Sequence, residues 1–284
     1  MHHLIGPAGW ALFIAMSLGW AVFCPSLGWS TGTTLFSQAI LSYGVLALAE
    51  RMAPKRYDWR WWHDRQGITD IAHAIINDQL ARSLLTIATF LLVDSVMPET
   101  PPHEGMVFVG ILVIEAGEYA RHRLMHRLEM LWPFHAVHHH PRRMHVLRSG
   151  RVHFVDGASR ALFVFAPALA LGIPADAITW WIILLNAIGP ISHSNLDIRT
   201  PAILDRLVVT PMVHQVHHAD NAMMMTSNLA PITPVFDILF GTWCAPEKHP
   251  VNQVGVSPDP LPGTLAGQLW EPFRSVFRKS TFKT

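Results

Sequence analysis

The chain of 284 residues is half hydrophobic and only 14% charged, with a positive mean hydropathy. That balance suits one membrane-embedded domain better than a soluble one, which would place more charge on its surface. A formal net charge of +1 gives no electrostatic footprint for nucleic acid, and two distant cysteines, Cys24 and Cys244, support neither a disulfide scaffold nor a thiolate metal site.

The first residues do not read as a cleavable secretion signal, and His2 and His3 there are incidental. Residues 10–24 and 33–49 are apolar runs joined by a turn rich in Gly, Ser and Thr, each near the short end of the roughly 17–25 residues that span a bilayer. They predict a helical hairpin. Arg51, Lys55, Arg56, Arg60 and Arg65 follow, whereas the turn holds no Lys or Arg, so the basic side is expected to be cytoplasmic. Trp59, Trp61 and Trp62 beside those charges fit an interfacial belt.

A third helix is expected over 69–93, its first half carrying Asp70, His73, Asn77, Asp78 and Arg82. The proline-rich turn from Pro98 ends it on the opposite side, and a fourth helix from 106 to about 119 returns Arg121, His122 and Arg123 to the cytoplasmic face. Residues 121–157 are too polar to span. Two apolar arms, 161–171 and 175–188, then flank Gly172-Ile-Pro174. At 1.5 Å per residue each is about 16–24 Å long, less than a roughly 30 Å hydrocarbon core, which favours a hairpin entering from the cytoplasm over a pair of true spans. The expected fold is all-α: a multi-spanning membrane bundle of about four transmembrane helices plus this short hairpin, one domain over 1–284. A histidine-rich helical cap and both termini would lie in the cytoplasm.

The chain has eighteen histidines, most of them between His122 and His249. Three clusters stand out: His122-Arg-Leu-Met-His126, His135-Ala-Val-His138-His139 and His214-Gln-Val-His217-His218. On a helix, residues three and four apart share a face, so each cluster can aim its rings at one place. His193, in Pro190-Ile-Ser-His-Ser-Asn195, lies where the apolar hairpin returns to the same side and is a ninth candidate. A single histidine is more often an ordinary hydrogen-bonding residue; the repetition is what points to metal. Imidazole suits Fe, Zn, Cu or Ni, and eight or nine rings exceed the four that a tetrahedral ion takes, so two ions are expected. Glu118, one turn before His122, and Asp220, after the third cluster, could accept the second N–H of a ligand ring, as could Asp156 and Asp237. His145 and His153 are further candidates for an outer contact.

The run Glu118-Tyr-Ala-Arg-His122-Arg-Leu-Met-His126, then Leu131-Trp-Pro-Phe-His135-Ala-Val-His138-His139, then His193-Ser-Asn195, and finally His214-Gln-Val-His217-His218 with Asn228 and Asp237-Ile-Leu-Phe-Gly241-Thr242 resembles the fatty acid hydroxylase/sterol desaturase superfamily over about residues 105–245. The resemblance implies that the nine named histidines hold two irons. It further implies that O2 and electrons from a separate donor, of cytochrome b5, ferredoxin or reductase type, oxidise an unactivated C–H of a membrane lipid such as a fatty acyl chain or sterol. Asn228 and the stretch from Asp237 resemble a structural closing segment. Glu118 stands where the family often has Asp, and His140-Pro141 where a small polar residue is commoner, so the subfamily stays open.

Hydroxylation is preferred, with desaturation by the same centre as the alternative. A membrane zinc hydrolase is disfavoured because no H-E-x-x-H motif supplies its base. A metal transporter or sensor is disfavoured because its ionisable groups would run along helices at membrane depth.

Overall fold

The computed structural model describes residues 6–76, 82–96, 105–257 and 261–278. The expectations placed on His2, His3, Asn77, Asp78, the Arg82 side chain and the Pro98 turn lie outside what it describes. Within it the chain is helical, with isolated β-bridges in place of a sheet.

Helix α1 (Pro7–Ser26) starts on a proline, whose missing N–H is no loss at a helix start. It ends before Gly28, which takes φ +79° to turn the chain. The Ser30 hydroxyl then caps α2 (Thr31–Met52) by accepting from Thr33 N at 3.2 Å. Two 3₁₀ turns lead to α3 (Gly67–Ala72), which winds on as a π-helix over 73–76; α4 (Arg82–Val96) follows. The single helix expected over 69–93 is therefore described as two pieces, their link falling outside the described residues.

Helix α5 (Met106–Arg127) is the central strut, followed by α6 (Trp132–His139) and α7 (Phe154–Arg160). A π-helical turn, Ala161–Phe165, joins α7 to α8 (Ala166–Ala170), and α9 (Ala175–Ser192) returns. Four short helices, α10 (Ala202–Asp205), α11 (Pro211–His217), α12 (Ala222–Met225) and α13 (Val235–Leu239), build the cap. The last helix, α14 (Leu265–Arg278), packs against α6.

Three of the described helices, α1, α2 and α9, are long and apolar enough to cross a membrane. The short arm expected over 175–188 is thereby corrected: α9 runs 18 residues, because Gly189–Ser192 stay helical beyond the apolar run and Pro190 falls in the last turn. The 161–171 arm likewise continues α7 instead of starting anew. The expected fourth span, α5, matches α2 in length but buries Glu115, Glu118 and Arg121 in its second half. Trp59 is not part of an interfacial belt; it is buried against Met144 and Val254.

Ile114, Phe165, Ile178 and Trp181 form the packed centre between α5, the π-helical turn and α9. At Gly110 a Cβ would fall 2.7 Å from the Ala177 Cβ, so α5 and α9 touch almost backbone to backbone. Buried polar groups pair across helices in this apolar bundle, where low dielectric strengthens each bond. Gln38 Nε2 donates to Ser17 O at 3.2 Å and Ile183 O at 3.1 Å, stitching α1, α2 and α9 together.

At the polar end of α2, buried Glu50 accepts from Val146 N at 2.8 Å and Asn195 N at 2.7 Å. The Asn195 side chain both accepts from Arg56 N and donates to Arg56 O, each at 2.9 Å. These contacts fix the loop that follows α6, the helix bearing His138, and the turn after α9, whose C-cap is His193.

Candidate metal centre

Helix α5 carries His122 and His126, α6 carries His135, His138 and His139, the C-cap of α9 is His193, and α11 with its cap carries His214, His217 and His218. All nine are buried. They form two groups, His122, His126, His135, His139 and His217 in one and His138, His193, His214 and His218 in the other, with each group's candidate ligand nitrogens within 4.8 Å of one another. Each His-x-x-His-His cluster feeds both groups: its first and last rings join one, its middle ring the other. The helix dictates this split, because adjacent residues differ by about 100° around the axis.

Hydrogen bonding shows why such a site fits a cation. A carbonyl oxygen only accepts, so His138 Nδ1 donates to Arg151 O at 3.2 Å and His193 Nδ1 donates to Gly189 O at 2.8 Å. Burial and neighbouring rings push the His138 pKa well below the ordinary 6.5, and burial pushes that of His193 down to about 4, so both are neutral. Their single hydrogens are thus spent on Nδ1, yet their Nε2 lone pairs face each other at 3.2 Å. His214 and His218 Nε2 join them at 3.0–3.1 Å. Two ligands at right angles about an ion roughly 2.1 Å away stand about 3.0 Å apart. In the other group His126 Nε2, His217 Nε2 and both ring nitrogens of His139 are buried without a partner among the described residues, which is costly unless an ion takes the lone pairs.

The same pKa shifts give the pH dependence a sign. Rings held below the ordinary 6.5 in the fold but free to reach it when unfolded favour the folded, metal-competent state above about pH 6.5, an advantage lost as pH falls toward 4. Protons compete for the ligand lone pairs over the same window. Metal retained by detergent-solubilised protein after gel filtration should therefore be full at pH 7.5 and fall steeply by pH 4.5; retention unchanged at pH 4.5 would count against an all-imidazole centre.

Backbone carbonyls supply most of the orienting contacts. His217 Nδ1 donates to Ser227 O at 2.9 Å and His122 Nδ1 to Leu229 O. Asn228, between those two carbonyls, has φ 51°, donates to Val213 O and Cys244 O, and accepts from Cys244 N. The Asp237 carboxylate accepts from Leu229 N at 2.7 Å and Ala230 N at 2.9 Å. Both residues thus hold a loop whose carbonyls aim two rings. Arg151 plays a similar part: it donates from Nε to Val137 O at 3.1 Å and from Nη1 to Asp70 Oδ1 at 2.7 Å while its own carbonyl receives His138. A cavity of about 110 Å3 opens beside the rings of both groups.

Comparison with known proteins matches residues 107–242 to the fatty acid hydroxylase family model. The ornithine lipid hydroxylase OlsE of Rhizobium tropici is 30% identical over 248 residues, covering 83% of this chain and 74% of that protein. The chain belongs to the fatty acid hydroxylase/sterol desaturase family. Fatty acid hydroxylase vlmA of a Lecanicillium species is 31% identical over 157 residues, with 42% of its length covered. The alkylglycerol monooxygenase of Danio rerio is 30% identical over 144 residues, with 31% covered. No solved structure matches. Family membership and the histidine cluster together support a di-iron, O2-dependent, lipid-modifying enzyme.

Against expectations for this hydroxylase family member, Glu118 does not reach a histidine. It pairs instead with the guanidiniums of Arg121 at 2.6 Å and Arg160 at 2.8 Å. Asp156 instead accepts from His135 Nδ1 at 2.7 Å and from Arg121 at 2.6 Å. Burial alone would raise its pKa, but the Arg121 guanidinium and the His135 ring outweigh that and hold it well below the carboxylate range. His145 is buried 3.5 Å from Asp64, outside both groups. His153 caps α7, accepting from Val155 N and donating to Leu269 O. Asp220 sits at a shallow surface hollow with Arg56 and Arg142. Sequence reading missed the carbonyl acceptors entirely, since any residue type can present a carbonyl.

Proposed function

We propose that the nine histidines bind two irons, His122, His126, His135, His139 and His217 holding one and His138, His193, His214 and His218 the other, and that the enzyme hydroxylates a C–H of a membrane lipid. The facing lone pairs of neutral His138 and His193 carry this reading. Bound irons would supply the redox chemistry with O2 that side chains lack. Overall, one oxygen atom enters the C–H bond, while the other leaves as water with two protons and two electrons from a separate cytochrome b5-, ferredoxin- or reductase-like donor.

The polypeptide's part is positional. Carbonyls and Asp156 fix the tautomers of His122, His135, His138, His193 and His217, so the Nε2 of each of these five is presented before metal arrives. Burial of all nine rings limits their contact with water to the small cavity beside them. The apolar α1, α2 and α9 would anchor the chain in the bilayer from which the substrate enters, with the basic segment after α2 and the histidines on the cytoplasmic side. Hydroxylation is preferred to desaturation because the relatives OlsE, vlmA and alkylglycerol monooxygenase are named as hydroxylases or monooxygenases.

Mass spectrometry of total lipid extracts from cells with and without the chain tests this. A lipid species gaining one oxygen is expected; a loss of two hydrogens would redirect the proposal to desaturation, and neither change would sink it.

A further inference from the structure

The cavity beside the histidines contains a charged group whose hydrogen-bonding capacity the fold leaves partly unspent. Arg160 lines it together with His122, His135 and His138. Its side chain is 14% exposed and donates from Nη2 to Glu118 Oε1 at 2.8 Å. Its Nε–H is buried and has no partner among the described residues. Arg121 next to it is engaged by Glu118, Asp156 and Ser159, and the bidentate Arg121–Glu118 pair already neutralises that carboxylate. Glu118 therefore does not by itself account for a second guanidinium here, and an unpaired buried guanidinium N–H is expensive to keep.

Backbone and sequence context agree. Arg160 is the last residue of α7, where the chain passes into the π-helical turn Ala161–Phe165, a distortion that recurs at functional sites. No charged residue follows from Ala161 to Leu171, and Leu162 and Phe163 there face outward. Arg160 is the last polar foothold before an apolar arm.

We propose that Arg160 anchors the substrate by donating a hydrogen bond to an oxygen of the lipid, an ester, amide, ether or carboxylate oxygen. The C–H presented to the histidines then lies within a few bonds of that oxygen and not far along a hydrocarbon tail. This deepens the lipid-hydroxylation reading and rests on it. The cavity of about 110 Å3 falls below the roughly 300–1,000 Å3 that encloses a whole drug-sized ligand. It suits the polar junction of a lipid, leaving the tails among the helices. Ser149 and Asn186 line the same space and add polar contacts.

The test locates the added oxygen. Polar lipids from cells expressing the chain are fragmented by tandem mass spectrometry, and Arg160→Gln and Arg160→Lys variants are compared for product, iron content and melting temperature. The expected result is oxygen on the headgroup, the backbone or the first carbons of a chain. Product should fall about 10- to 100-fold in Arg160→Gln, as for loss of one charge-assisted hydrogen bond, with iron content unchanged and partial recovery in Arg160→Lys.

Oxygen found far along an acyl tail, or wild-type turnover in Arg160→Gln, overturns the anchor while leaving lipid hydroxylation intact. Loss of iron and of the melting transition in both variants assigns Arg160 to Glu118 alone and also overturns it. No oxidised lipid from the unaltered chain overturns the hydroxylation reading beneath it.

Discussion

Replacing His138 with alanine is expected to lower bound iron from two ions per chain toward one and to cut lipid product by more than about 100-fold, beyond the roughly 10- to 100-fold that loss of an outer contact costs. The size follows from position. His138 Nε2 lies 3.2 Å from His193 Nε2 and 3.1 Å from His218 Nε2, so it is a corner of the four-histidine group, and no other described ring stands ready to replace it. The five-histidine group keeps all its members, so the remaining iron should give a single spectroscopic site by Mössbauer measurement. Membrane insertion, followed by fractionation, should be unchanged, because His138 lies outside α1, α2 and α9. Two irons per chain together with normal lipid oxidation in this variant would defeat the assignment.

The second large effect is expected at Asp156. Its carboxylate accepts from the His135 ring and from Arg121, both buried partners. Asp156→Asn should weaken iron binding by about 10- to 100-fold, since the amide is a poorer acceptor for His135 and can present its NH2 group instead. Asp156→Ala should in addition destabilise the fold by about 3–5 kcal/mol, the cost of opening a buried ion pair. Glu118→Gln is the informative contrast: Glu118 contacts Arg121 and Arg160 but no ring, so that variant should melt earlier while holding iron with near-native affinity. Chelator competition and thermal melting on the three variants separate the cases. Equal loss of iron affinity in Glu118→Gln and Asp156→Asn would show that Asp156 has no special hold on His135.

Much of the site was legible as local spacing. Residues three and four apart on a helix share a face whatever surrounds them, so His122 with His126, and the rings of the other two clusters, could be grouped without coordinates. His193 followed from topology, as the residue where an apolar segment returns to the same side. The hairpin of α1 and α2 was visible for a similar reason, since an apolar run of near-spanning length bounded by turn residues has few other uses.

Other features depend on contacts that no local pattern records. Where α9 ends was set by backbone hydrogen bonds running past the apolar run to Ser192, so counting apolar residues made it too short. Trp59 looked interfacial beside its arginines but is buried, because Met144 and Val254 close over it from distant parts of the chain. Glu118 and Asp156 illustrate the limit most clearly. Proximity in sequence favoured Glu118, one turn from His122, yet α7 packs so that Asp156 reaches His135 across 21 residues and the guanidiniums claim Glu118.

By itself, then, the sequence determined that eight histidines at helical spacing could share faces and that His193 was a ninth candidate, because that follows from covalent geometry and hydropathy. Only the tertiary structure decided which ring joins which group, and that carbonyls at Arg151, Gly189, Ser227 and Leu229 aim four of them. The physical reason is that a backbone acceptor has no residue identity: its place is known only once the chain has folded around it.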